Sequence, residues 1–228
     1  MMMYKTLFNN NEFQKSLEKE QKPKMLPIEN TYPLKIKNYF EFFLAFSFLL
    51  FIGAWLFPLI ALMIKGSSKG PVIFRQLRHG KNNRPFYCLK FRTMVENNQA
   101  DTEQAKKGDL RITKIGCFLR KTSLDELPQL INVLKGEMSL VGPRPHAVPM
   151  NEIFSDKIPG YMHRHAIRPG ITGLAQAKGY RGEILNYQDL YFRYRLDMFY
   201  LKKRNLIFDL KILAWTGYSI LFDNNNAY

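Results

Sequence analysis

Hydrophobic and polar positions divide this 228-residue chain into unequal parts. From Phe42 to Ile64 run 23 residues without a charge, FFLAFSFLLFIGAWLFPLIALMI. One straight helix of that length measures about 34 Å, enough for a hydrocarbon core of roughly 30 Å. Pro58 lies within it, lacks a backbone donor, crowds the carbonyl of Ala54 and biases Phe57 away from helical angles, so the pattern predicts a bend there. Both flanks are basic, with Lys35 and Lys37 before and Lys65, Lys69, Arg75 and Arg78 after. Basic flanks favour the cytoplasmic face. A helix that enters the membrane, breaks at Pro58 and returns to the same face satisfies both observations. An ordinary kinked spanning helix is the competing reading, because proline is common in such helices.

Residues 1–38 are polar and lysine-rich, carry Pro23, Pro27 and Pro33 and show no sustained apolar period, which predicts a flexible basic arm. The apolar run begins too far along the chain for a secretory signal. Beyond Lys65 the pattern turns soluble. VIFRQ at 72–76 and PFYCLKFRTM at 85–94 flank a turn at Gly80 to Arg84 and predict a hairpin. Residues 95–109 are polar and read as a mobile excursion, 122–135 as a helix stopped by Gly136, and the proline- and glycine-rich stretches 142–149 and 168–173 as irregular loops. Leu206 to Phe222 is apolar and aromatic but interrupted by Asp209 and Lys211, which leaves no clean spanning run. It fits an amphipathic helix on a membrane surface, with core packing as the alternative.

The expected fold is α+β and mainly helical, of a monotopic membrane-associated kind. It comprises the arm at 1–38, a re-entrant helix at 39–65, a small cytosolic catalytic domain at 66–205 with a short β-hairpin, and an interfacial helix and tail at 206–228.

Charge adds a partner class to this picture. Lys and Arg number 34 against 19 Asp and Glu, a formal charge of +15. Such an excess points to nucleic acid, acidic lipid headgroups or phosphorylated substrates. Cys88 and Cys117 are the only cysteines and lack a partner spacing for a disulfide framework or a zinc module, in keeping with a reducing compartment.

Candidate chemistry centres on SLDE at 123–126. Ser123 and Glu126 have capping-box spacing, and acidic residues are common in any first helical turn. Against that plain reading, Asp125 lies five residues after Arg120 and nineteen before Arg144, in a segment rich in cations. A carboxylate at a helix N-terminus among arginines stays ionised, which suits a nucleophile or a ligand for a hard divalent ion. GPRP at 142–145 sets Arg144 between two prolines, so its guanidinium loses little backbone freedom on meeting a phosphate; a rigid turn with a solvated arginine is the bland alternative. His163 and His165 lack a third ligand spacing and read as structural or phosphate-facing.

Three ordered stretches carry a resemblance: GPVIFRQLRHGKNNRPFYCLKFRTM at 70–94, DLRITKIGCFLRKTSLDELPQLINVLKGEMSLVGPRP at 109–145 and RPGITGLAQ at 168–176. Together they closely resemble the bacterial sugar transferases that are monotopic polyprenol-phosphate phosphoglycosyl transferases. The resemblance covers about residues 36–222. It implies transfer of a sugar 1-phosphate from a UDP-sugar to undecaprenyl phosphate at the inner leaflet of the cytoplasmic membrane, with the catalytic domain facing the cytoplasm. It further implies that Asp125 is the nucleophile and a ligand of Mg²⁺, that Glu126 completes a dyad, and that Arg92, Arg111, Arg120, Arg144, Arg168, Gln176 and Asp197 serve substrate or phosphate binding. Pro58 corresponds to the break of a re-entrant helix. Downstream glycosyltransferases are implied partners and nucleic acid is not.

ArgProHisAlaValProMetAsnGlu at 144–152 and GlyTyrArgGlyGlu at 179–183 look like the branch that transfers glucose 1-phosphate to start exopolysaccharides, with UDP-galactose or a UDP-N-acetylhexosamine as alternative donors. Members of that branch commonly carry further N-terminal spanning helices and an extra domain, and this chain resembles their catalytic portion. Departures from the family pattern fall at Phe57, Cys117 and Ala177 to Gly179, none of them in the dyad. A non-catalytic basic membrane-tethered binding protein would also account for the charge and the anchor, but gives no reason for AspGlu amid arginines, and no nucleic-acid fold signature is present.

Overall fold

The computed structural model describes residues 34–96, 104–106 and 108–222. Helix α1, Leu34–Phe48, opens five residues before the expected boundary and passes through a π-helical turn, Leu49–Gly53, into α2, Ala54–Ser67, which contains Pro58. A widened turn of this kind loosens the backbone ladder just ahead of the proline, whose ring would otherwise crowd the preceding turn. Among the described residues this is the one helix long and apolar enough to cross a membrane.

Its amphipathicity is inverted. Lys37, Glu41 and Ala45, spaced to share one face, are buried, whereas Phe43, Phe51, Trp55 and Leu62 are each at least 60% exposed. A helix in water buries the opposite set, so the outward face is made for an apolar surrounding. Both ends of the apolar helix rest on the same domain. At the start, Lys37 Nζ donates to Asp209 Oδ2 (2.7 Å), the Val141 carbonyl (3.0 Å) and Tyr200 Oη (3.2 Å), while Glu41 accepts from Ser139 Oγ and the Leu140 amide. At the finish, Ile60 and Ile64 are buried with Phe91 and Leu119, and the Phe57 and Phe91 rings meet edge to face at 5.0 Å.

The expected hairpin is present as β1, Ile73–His79, and β2, Pro85–Phe91, antiparallel with Ile73 opposite Phe91 and His79 opposite Pro85. Asn82 and Asn83 hold left-handed angles in its turn, which asparagine tolerates better than most residues. Buried His165 donates through Nδ1 to Asn83 Oδ1 at 2.6 Å, so it braces this turn. Helix α3, Lys114–Thr122, is capped by the Thr113 hydroxyl, and a Cβ on its Gly116 would overlap the Thr93 carbonyl, so glycine permits the close approach of α3 to the end of β2.

The single helix expected over 122–135 is two pieces. Ser123 sits in the left-handed region at φ +60° and ends α3, a 3-10 turn covers Leu124–Glu126, and α4 spans Gln129–Leu134 after Pro128. The capping box does not form, because the Ser123 hydroxyl accepts from Arg181 instead of the following amides.

The expected irregular stretch 168–173 contains a strand, β4, Gly170–Thr172, which pairs in parallel with β3, Ser139–Val141, immediately before the stretch 142–149. Gly142 donates to the Thr172 carbonyl and Gly170 to the Pro143 carbonyl, and a Cβ on Gly142 would collide with the Arg168 carbonyl. The GPRP and RPGITG stretches are thus one packed unit. Helices α5, Val148–Lys157, α6, Leu174–Ala177, α7, Tyr187–Lys203, and α8, Leu206–Phe222, complete the domain. Its core joins Phe86 and Cys88 of β2, Leu130 and Val133 of α4, Leu140 and Val141 of β3, Tyr200 and Leu201 of α7 and Ile212 of α8. Helix α8 answers to both expectations: Asp209 and Ile212 face the core, while Ile207, Leu210, Tyr218 and Phe222 are exposed. The arm expected at 1–38 lies outside the described residues up to residue 33, as do 97–103 and 107 of the polar excursion.

Candidate active site

β2 and its continuation, the end of α3, the 3-10 turn and the GPRP loop converge on a cleft of about 410 Å³. Among the described residues its walls carry eight Lys and Arg against four Asp and Glu. Local structure explains each placement. Lys90 and Arg92, two apart along the strand, share a face and both reach the cleft. Arg120 comes from the last turn of α3, its Nε donating to Thr93 Oγ1 at 3.1 Å. Arg144 is delivered by its proline-bounded loop, whose carbonyl accepts from Arg164 Nη2 at 2.7 Å. Ser123, a non-glycine residue in the left-handed region, re-aims the chain so that Asp125 and Glu126 enter the cleft rather than cap a helix.

The two carboxylates are neighbours in unlike surroundings. Glu126 is gripped by Arg144 Nη2 at 2.6 Å, Arg144 Nη1 at 3.3 Å and Lys90 Nζ at 2.8 Å. Burial raises its carboxyl, but Arg144 and Lys90 overcome burial and hold it well below the usual carboxylate range. Asp125 is 7% exposed and accepts no hydrogen bond among the described residues. Burial pushes its carboxyl above the ordinary aspartate value, against the pull of Lys90 and, more weakly, of Arg120 and Arg144, and Glu126 pushes the same way as burial. The expected carboxylate held ionised by arginines therefore describes Glu126, and Asp125 is the unfastened member. Burial also lowers the Lys90 ammonium, which Glu126 opposes.

Of the other expected site residues, the structure brings Arg92, Arg111, Arg120 and Arg144 into this cleft. Arg92 is 7% exposed, donates through Nη2 to the Ser68 carbonyl at 2.8 Å, and leaves Nε and Nη1 without partners. It thereby links the finishing end of α2 to the site. Arg111 forms a fork onto Asp109.

Three residues lie elsewhere. Arg168 bonds Asn38 Oδ1 at the foot of α1, and its segment supports the GPRP loop from behind. Asp197 is buried in an ion pair with Arg164 (2.5 and 3.0 Å) and reaches the cleft only through the Arg164 bond to the Arg144 carbonyl. Gln176 lines a second, apolar pocket of about 270 Å³ behind the 3-10 turn, with its Oε1 unpartnered.

Lys90, Arg181 and Arg193 are cleft residues that the sequence reading did not single out. Alternation with Arg92 along a strand was the available signal for Lys90. Arg181 stood in the GlyTyrArgGlyGlu stretch, read only as a branch likeness, and Arg193 had no signal, because both depend on how the loop after α6 folds back, Arg181 onto Ser123 and Arg193 onto the carbonyls of Gly182 and Glu183.

As to a metal, the described residues hold no cluster of three or more His, Cys, Asp or Glu suited to one. Magnesium commonly uses one or two carboxylates together with substrate phosphates. The unfastened Asp125 carboxylate, in a cleft lined by guanidiniums that a substrate phosphate could share, fits that mode.

The sequence profile described as bacterial sugar transferase matches residues 32–223. The chain is 51% identical over 171 residues to a UDP-glucose:undecaprenyl-phosphate glucose-1-phosphate transferase of Escherichia coli (strain K12), covering 74% of this chain and 36% of that one. It is 48% identical over 183 residues to the protein of the same name from Klebsiella pneumoniae, covering 80% and 39%. It is 42% identical over 193 residues to an exopolysaccharide production protein of Rhizobium leguminosarum bv. phaseoli, covering 82% and 96%. The chain thus spans well under half the length of the first two relatives and nearly all of the third. With the matched region enclosing the whole cleft, the dyad turn and both packed loops, the chain belongs to the bacterial sugar transferase family.

Proposed function

We propose that this chain transfers glucose 1-phosphate from UDP-glucose to undecaprenyl phosphate, releasing UMP, through a covalent phosphoglucosyl intermediate on Asp125. The observation that carries this reading is the pairing of an unfastened, buried Asp125 carboxylate with a surplus of cleft cations. Phosphoryl transfer asks a protein mainly to position its reactants and offset charge. The glucose assignment and the lipid acceptor rest on what the two glucose-1-phosphate transferase relatives are named for.

Arg120, Arg144 and Arg92 offer donors to the diphosphate. An Asp125 carboxylate oxygen attacks the β-phosphorus; the oxygen–phosphorus bond to it forms as the bond from the β-phosphorus to the bridging oxygen breaks, and UMP leaves with that electron pair. An oxygen of undecaprenyl phosphate then attacks the same phosphorus, and Asp125 departs as carboxylate. Glu126, already neutralised by Lys90 and Arg144, fixes the two cations that face the incoming charge. Mg²⁺, held by Asp125 and substrate phosphates, would neutralise developing negative charge on the diphosphate.

The re-entrant reading is part of this proposal, with Pro58 and the π-helical turn as the place where the helix yields. It is supported by the inverted amphipathicity and by the docking of both helix ends on one domain. A crossing helix would leave its two ends on opposite faces. The catalytic domain then sits on the cytoplasmic face of the inner membrane, where the donor is soluble and the acceptor is embedded.

Protein reconstituted in lipid with UDP-glucose, Mg²⁺ and no acceptor should release UMP in a burst of one equivalent and gain the mass of one glucose phosphate. Equal UMP release by Asp125→Asn would overturn the nucleophile assignment. Cysteines introduced at Asn38 and Lys69 should label from the same side of sealed vesicles, and labelling from opposite sides would replace the re-entrant helix with a spanning one.

A further inference from the structure

The 3-10 turn that carries the dyad is a partition with two faces. Asp125 faces the cleft, whereas Leu124 and Leu127 face the second pocket, about 270 Å³ and lined further by Leu130, Leu140 and Leu213. Glu126 and Arg181 line both spaces, so the two communicate around the edge of the turn. We infer that this apolar pocket holds the first isoprene units of the acceptor, a polyprenyl phosphate, with the phosphate at Arg181 facing the dyad. The inference rests on the transferase reading above and gives the acceptor a place in it.

The chemistry of the walls selects this occupant. A nucleotide sugar has no hydrocarbon part to fill an apolar cavity; the lipid acceptor joins a hydrocarbon to a phosphate, and the pocket joins leucine walls to a guanidinium. Several wall hydroxyls are engaged within the protein: Thr172 and Thr216 hydroxyls pair at 2.7 Å, Thr216 also donates to the Ile212 carbonyl, and Ser123 Oγ accepts from Arg181 Nη2 at 2.5 Å, while Gln176 Oε1 is an acceptor left without a partner. Satisfied hydroxyls leave a wall that an apolar chain can contact without stranding a donor. One wall is α8, whose other face exposes Ile207, Leu210 and Tyr218, so the pocket borders a surface suited to lipid. An acceptor seated here approaches the dyad turn from the side opposite the donor cleft, which suits a two-step exchange in which the leaving nucleotide and the entering lipid use different spaces.

Leu213→Trp fills the pocket from α8. The expected result is an apparent KM for undecaprenyl phosphate raised about tenfold or more with the acceptor-free UMP burst retained. The preference for undecaprenyl phosphate over a one-isoprene phosphate ester, measured as a ratio of kcat/KM, should narrow in the same variant. Ser219→Trp, at the same wall, repeats the test should Leu213→Trp fail to fold. A burst-competent variant whose acceptor KM stays within twofold of the unsubstituted protein overturns the inference. So does a loss of co-purified phospholipid with acceptor KM unchanged, which would assign the pocket to bulk lipid. Absence of any UMP burst from the unsubstituted protein would instead count against the transferase reading itself.

Discussion

Two clusters of buried charge in this protein are built to opposite ends. At the foot of α1, Lys37 meets Asp209 and Glu41, and the remaining polar atoms of that group find Tyr200, Ser139 and the backbone of β3. Every charge there is spent inside the protein, and the cluster bolts an otherwise apolar helix to its domain. In the cleft, cations outnumber carboxylates two to one and the Asp125 carboxylate has no hydrogen-bond partner among the described residues. Buried charge left over after internal pairing costs stability and is available to a ligand. The difference separates a network closed on itself from one with charge left for a ligand, without reference to any relative.

Asp125→Asn breaks the comparison most severely. It should lower the acceptor-free UMP burst rate by at least about 10³-fold, as removal of a nucleophile does. The same change should raise the melting temperature, because burial disfavours the ionised form that asparagine eliminates. Differential scanning calorimetry beside the burst assay reads both signs, and a lowered melting temperature would contradict the account of Asp125.

Lys37→Met attacks the other cluster and leaves two buried carboxylates without their cation. A loss of about 3–5 kcal/mol is expected, read as a lower urea midpoint. An unchanged midpoint would show that the bolt contributes nothing.

Arg120→Lys replaces a planar donor pair by a point charge. It should raise the KM for UDP-glucose about tenfold while leaving the urea midpoint within error of the original.

The smallest effect is in the pH profile. Because the folded-state value of Asp125 is raised, the burst rate should fall on acidification at a pH above the ordinary 3.8 of an aspartate. Glu126 has the opposite sign: its depressed folded-state value gives stability that is present above its unfolded value and lost only as pH falls through the folded one. Activity should therefore disappear before the contribution of Glu126 to the fold does. Simultaneous loss of both on an acid titration followed by burst rate and circular dichroism would contradict the assignment.

Much of the fold was legible because it depends on short-range chemistry. The hairpin followed from two β-branched and aromatic runs around a Gly-Lys-Asn-Asn-Arg turn, and α8 from an apolar stretch with one inward acid. The helix expected over 122–135 failed at Ser123. Its left-handed angle is supported by Arg181, 58 residues away, and local propensity cannot register a partner that distant. Arg168 and Asp197 carry site-like motifs yet act from behind: the first lies under the GPRP loop, and the second holds Arg164 against the Arg144 carbonyl.

The sequence by itself determined that an uncharged 23-residue segment precedes a strongly basic domain, and that AspGlu stands among arginines between glycine- and proline-punctuated loops. Composition, spacing and backbone restriction are properties of neighbouring residues, so they can be read in one dimension. Only the tertiary structure decided which acid is fastened and which is left unfastened, which cations face the cleft, and that an apolar pocket lies behind the dyad. Those outcomes depend on burial and on partners brought from tens of residues away, and the same carboxylate is raised or lowered according to which of them it meets.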